Sequence, residues 1–368
     1  MSVNEMSVRS ILRVIDVIKP YNWSAFELDA YEQVRACLLE PKSLVKPLKI
    51  KTNAVQLLHK KLANDVGMLR DVVSVGSMGE PYDKQETHYG LTRGLIQALY
   101  DYHFPLHLVT ASEGVLRDLD LLEKISKESF LHISVPIVLN HELYERFYPE
   151  ESFTEVLSLI RHVRLALPKV YISAKILPVL PTLGDDEVSL ESMLKALKRV
   201  GVDGVSLSLY ELFNVKQTQI FLDTIQDFPE FVERFVQRFS LEVEDGLLVQ
   251  GCAEVKEKDR ERFFHKTEML LKKYQLDSPV PRYIPEDFRH SNYLLAQRLF
   301  VRAKHYEDQG QESESIRDIA QKIQSMSDTV SKRELLDFAK NEKVKRDIDY
   351  FLFNKELKTF GQAKLFDI

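Results

Sequence analysis

Between about residues 15 and 210 the chain alternates short, almost wholly apolar runs with longer amphipathic stretches, and no other feature constrains the fold as much. The runs at Val14–Ile18, Lys49–Lys51, Asp71–Val75, Leu106–Thr110, Leu131–Val135, Val170–Leu177 and Val205–Leu209 read as strands. Several, such as VVSV, LHLV and YISAKIL, are apolar nearly throughout, which suits strands covered on both faces. Between them NAVQLLHKKLA, LTRGLIQALYDY, EGVLRDLDLLEKI, SFTEVLSLIRHVRLAL and SLESMLKALKRV read as helices. Such alternation predicts right-handed βαβ units around a parallel sheet, closed as a barrel or doubly wound.

The rhythm changes after Tyr210. A helical stretch over Thr218–Phe239 leads to one strand-like run at Gly246–Gln250, and beyond Glu254 the sequence reads as charged helix. The Pro-rich segment SPVPRYIPED at 278–287 interrupts it and is the best candidate boundary. The expected division is therefore an N-terminal segment 1–48 that belongs to the barrel, a barrel body 49–277 and a helical region 278–368.

A hydrophobic content of 44% supports a sizeable core, while a net charge of -6 gives no global attraction to nucleic acid. A local basic groove stays open. The two cysteines, Cys37 and Cys252, have no metal-ligand spacing, and no apolar run approaches the ~20 residues of a membrane span. These features point to a cytoplasmic protein with no expected metal site. His88, His103, His107 and His132 lack the i,i+4 spacing of a helical metal pair and read as surface or core imidazoles. No P-loop, Gly-rich dinucleotide turn or Ser-His-Asp order is present.

One segment carries a resemblance. Asp71–Leu99, DVVSVGSMGEPYDKQETHYGLTRGLIQAL, resembles the second strand and following loop of radical S-adenosylmethionine (radical SAM) proteins related to spore photoproduct lyase, the DNA repair photolyase-like family. That family has Thr-Asp-Pro-Tyr-Gln-Pro-x-Glu and then a Leu-Thr-Arg helix start. Here Pro81, Tyr82, Glu86, Leu91, Thr92 and Arg93 match, and Gly79-Glu80 replaces Thr-Asp. Lys51-Thr-Asn-Ala54, LVTASEGVLRDLDLL, HISVPIV and KILPVLPTLGDDE resemble later family segments in the same order. The resemblance, over roughly 14–210, implies a partial (β/α)6 TIM-like barrel with a helical C-terminal region.

The family's first strand ends Asn-Pro-Tyr-x-Gly-Cys-x-x-x-Cys-x-x-Cys, and the thiolates hold a [4Fe–4S] cluster. Matching Pro20 and Tyr21 to that motif sets Ser24, Leu28 and Tyr31 at the cysteine positions. A cluster is then not expected, and S-adenosylmethionine loses its usual iron ligand. Ser24 followed by Glu27 forms a capping-box pattern, with Phe26, Ala30, Val34 and Cys37 near one helical face. A helix is expected there, with Cys37 a small apolar core residue.

Five residues are the candidates for a ligand at the barrel mouth. Glu80 stands where relatives pair an acid with a ligand ammonium, and equally reads as a solvated turn residue; Tyr82 and Glu86 lie in the matching run. Lys175 and Ser134 would line the cavity or serve structural hydrogen bonds. The resemblance implies a cluster-less binding or regulatory protein with a link to DNA metabolism. The alternative is an enzyme of non-radical chemistry that uses the same mouth, with S-adenosylmethionine or another small molecule as ligand. A separate signal closes the sequence: Gln362-Ala-Lys-Leu365-Phe366 resembles the peptide by which bacterial DNA polymerases and repair proteins dock on the sliding clamp. The other reading is a hydrophobic anchor folded onto the tail helices.

Overall fold

The computed structural model describes residues 3–14, 26–33, 47–64, 71–137, 152–179, 185–209, 215–239, 242–244, 247–250, 255–278, 280 and 310–326, with scattered positions between 296 and 345. In chain order these form β1 (Val3–Met6), β2 (Leu12–Val14), β3 (Phe26–Leu28), β4 (Tyr31–Glu32), β5 (Leu48–Lys51), α1 (Ala54–Asn64), β6 (Val73–Val75), α2 (Glu86–Tyr89), α3 (Leu91–Asp101) and β7 (Leu106–Val109). A 3-10 turn at Glu113–Asp118 runs into α4 (Leu119–Glu128), then β8 (Leu131–Ile137), α5 (Phe153–Ala166), β9 (Tyr171–Val179), α6 (Glu187–Val200) and β10 (Gly204–Leu209). Next come α7 (Val215–Ile225), α8 (Pro229–Phe239), the hairpin β11 (Glu242–Glu244) and β12 (Leu247–Gln250), α9 (Glu257–Tyr274) and α10 (Glu314–Gln324).

The main sheet runs β10-β9-β8-β7-β6-β3-β2. Six of its strands are parallel neighbours, and β2 joins antiparallel at the edge. This is the expected six-stranded parallel arrangement. The helices start where local chemistry provides a cap: Ser152 accepts from the Glu155 N–H to open α5, and Asp186 from Ser189 to open α6. Their apolar stripes, such as Val156, Leu159, Ile160 and Val163 of α5, join the outward residues of β6–β9 in one core. A second buried cluster around Leu299, Ile316, Ile319 and Ile323 is separate from it.

Two expectations fail at the N-terminal side. The helix expected from Ser24 is absent among the described residues: Phe26–Leu28 and Tyr31–Glu32 are strands. Helical spacing misled because Phe26 and Leu28 also alternate correctly for a strand, and pairing with both β2 and β6 decided the outcome. Lys49–Lys51 is a strand but not a barrel strand. It lies in a separate sheet of order β1-β5-β4, parallel to β1 and antiparallel to β4. The helical stretch expected over Thr218–Phe239 is made of two helices, α7 and α8. Ser24, Cys37, Cys252 and most of 278–287 lie outside the described residues.

Candidate functional site

The C-terminal ends of β3, β6 and β7 meet at one place, and three carboxylates organise it. Asp29, one residue past β3, is 6% exposed, and its Oδ1 accepts from the N–H groups of Gly76 (3.0 Å) and Met78 (3.2 Å). Burial pushes its carboxyl up to about 6, against the lowering effect of those donors and of Lys51. Gln33 N–H donates to Met78 O at 3.1 Å, so the chain leaving β3 is knit to the loop leaving β6. The loop can lie this close only because of its glycines. Gly76 has φ +94°, and a Cβ there would stand 2.2 Å from Val109 O.

Glu80 ties the same loop to β7. Its Oε1 accepts from Tyr82 N–H (3.0 Å) and the Thr110 hydroxyl (2.5 Å), and Oε2 accepts from Ala111 N–H (3.1 Å). The sequence candidate is therefore held by three donors of the protein itself.

Glu86, 2% exposed, is the hub of the third arrangement. It accepts from the Tyr31 hydroxyl (2.6 Å), Thr92 N–H (2.9 Å), Arg93 N–H (3.3 Å) and Arg117 (2.8 Å). Burial and that bond to Glu86 raise the Tyr31 phenol well above its ordinary range. Arg117 and Arg93 both also donate to Asp118, itself fully buried. Their bonds outweigh the opposing effect of burial and hold the Asp118 carboxyl below its usual range. The Arg117 guanidinium lies 5.6 Å from the Tyr82 ring centroid, and the buried Tyr82 hydroxyl, without a well-formed hydrogen bond, is raised by burial and by Asp118. Tyr82, Glu86, Thr92, Arg93, Arg117 and Asp118, the residues that carry the family resemblance, thus contact one another. They anchor the start of α3 and the 3-10 turn to β4. In the sequence Arg117 and Asp118 were only part of a matching segment, and nothing local pairs Tyr31 with Glu86, 55 positions away.

The inner face of the sheet holds a separate group. Alternation along paired strands puts Glu27, Ser74, His107, His132, Ser134, Ser173, Lys175 and Ser206 on the face opposite the apolar residues that meet the helices. Ser74 Oγ lies 2.9 Å from Ser77 Oγ and 3.0 Å from His107 Nδ1. His107 Nε2 lies 2.7 Å from Ser134 Oγ, which is 2.7 Å from Ser173 Oγ, which is 2.8 Å from His132 Nε2. The two imidazoles stack with centroids 4.5 Å apart. Burial depresses both, His132 to about 3 and His107 well below its usual value, with His132 and Lys175 adding repulsion to the latter. Ser134 therefore sits in a buried polar chain, and Lys175 lies one layer nearer the mouth. The signal was available as Ser or His at alternate positions of VSV, LHLV, LHIS and YISAK. It was obscured because such runs read as apolar overall.

Of the residues set at cysteine positions by sequence, Leu28 is an apolar strand residue buried against β6, and Tyr31 gives its hydroxyl to Glu86. Neither offers a thiolate, so the described residues do not fit a three-cysteine cluster. Among the described residues no group of three or more His, Cys, Asp or Glu is placed to hold a metal ion. No described helix is long and apolar enough to cross a membrane.

No family model matches the chain. Uncharacterized proteins of Mycobacterium bovis and of two Mycobacterium tuberculosis strains are each 26% identical over 188 residues, 50% of this chain and 54% of theirs. The chain thus spans about half the length of the curated relatives it matches. Among solved structures, a spore photoproduct lyase mutant with bound AdoMet and dinucleoside spore photoproduct superposes with a TM-score of 0.52 at 12% identity, over 74% of this chain and 79% of that one. A second lyase mutant gives 0.51 at 14% identity over the same shares. The likeness is one of fold: a radical SAM-type, TIM-like partial barrel.

Proposed function

We propose that this chain is a radical SAM-type barrel without an iron–sulfur cluster, acting as a non-catalytic binding or regulatory protein in DNA metabolism. The observation that carries the reading is the exit of the first parallel strand. Where a cluster loop would emerge, Asp29 is bonded to Gly76 and Met78, and Tyr31 to Glu86. With that strand ending at Leu28, Asp29-Ala30-Tyr31 takes the place of Asn-Pro-Tyr. The three cysteine positions then fall on Val34, Leu38 and Pro41 instead of Ser24, Leu28 and Tyr31. Neither register contains a thiol at any of the three.

Anaerobic reconstitution with iron and sulfide tests this. The expected product is colourless and binds no iron. A brown protein with about four irons per chain overturns the reading.

The link to DNA has two supports, the lyase whose structures hold a dinucleoside spore photoproduct and the Gln362, Leu365 and Phe366 tail, which lies outside the described residues. Deleting the last seven residues should abolish capture by a bacterial sliding clamp, and unchanged capture removes that part of the proposal. The competing reading, S-adenosylmethionine in the mouth, draws on the polar inner face but requires Glu80 to release its three donors. Calorimetry should detect no binding. Tight binding that Glu80→Ala abolishes would replace the first reading.

A further inference from the structure

We draw no further inference here: the strongest candidate, the buried Asp29 carboxylate that joins the exit of β3 to the β6 loop through Gly76 and Met78, would act as a switch only through its titration, which by itself identifies neither a ligand nor a movement.

Discussion

Glu86 gathers four donors with almost no solvent around it, so its removal strands them together. Glu86→Ala should cost about 3 kcal/mol of unfolding free energy, because Tyr31 and two backbone N–H groups lose their acceptor in the interior. Tyr31→Phe, which deletes one donor and leaves the hub, should cost about 1 kcal/mol. Urea unfolding of the two variants checks both the values and their order. Asp29 differs, because its folded-state pKa of about 6 lies above the ordinary 3.8. A raised carboxyl favours folding while protonated, and that contribution fades as pH rises through about 6. Asp29→Asn keeps an oxygen for Gly76 and Met78 without the buried charge. Its stability relative to wild type should therefore increase by roughly 2 kcal/mol between pH 4 and pH 7. Much at this scale was hidden in the sequence. Glu86 stood out as a matching residue, but whether it met a ligand or Tyr31 depended on a partner 55 positions away.

Among the elements, the β6 loop is the most constrained. Gly76→Ala meets both a disfavoured φ and the Val109 carbonyl, whereas Gly90, at φ +61°, has nothing within 4 Å of an added Cβ. The first substitution should cost more than about 2 kcal/mol and the second about 1 kcal/mol, as measured by thermal or urea unfolding. Both replace a glycine of positive φ, so the difference isolates the backbone clash. The strands and helices from β6 to β10 were legible in the sequence, since long periodic segments leave little freedom. Before residue 52 the strand at Lys49–Lys51 was legible but not the sheet it joins. The strands of this region are two to four residues long, and membership of one sheet or the other is settled by distant pairing, as with β5 joining β1 rather than the barrel.

For the whole molecule, two buried neutral histidines and one raised carboxyl act in opposite directions as pH falls. A histidine with a depressed folded pKa withholds stability below its unfolded value of 6.5, and two such groups lose about 2.7 kcal/mol per pH unit at the limiting slope. Asp29 returns at most half of that. The histidines win, and the chain should be on the order of 3 kcal/mol less stable at pH 5 than at pH 7. Replacing His107 and His132 together by Gln should flatten or reverse this dependence, measured from urea unfolding at the two pH values.

The serine–histidine chain has one more consequence. From Ser77 through Ser74, His107, Ser134 and Ser173 to His132, each link can be donated in either direction. If Ser77 starts the sequence of donations, His107 carries its hydrogen on Nε2 and His132 on Nδ1; reversal exchanges both. Along this path the two imidazole tautomers are opposed, while the 3.2 Å contact between Ser134 Oγ and His132 Nε2 adds a branch through which both rings can carry hydrogen on Nε2. The barrel interior thus holds a network whose proton arrangements differ without movement of any heavy atom, and nitrogen chemical shifts of the two rings would distinguish them.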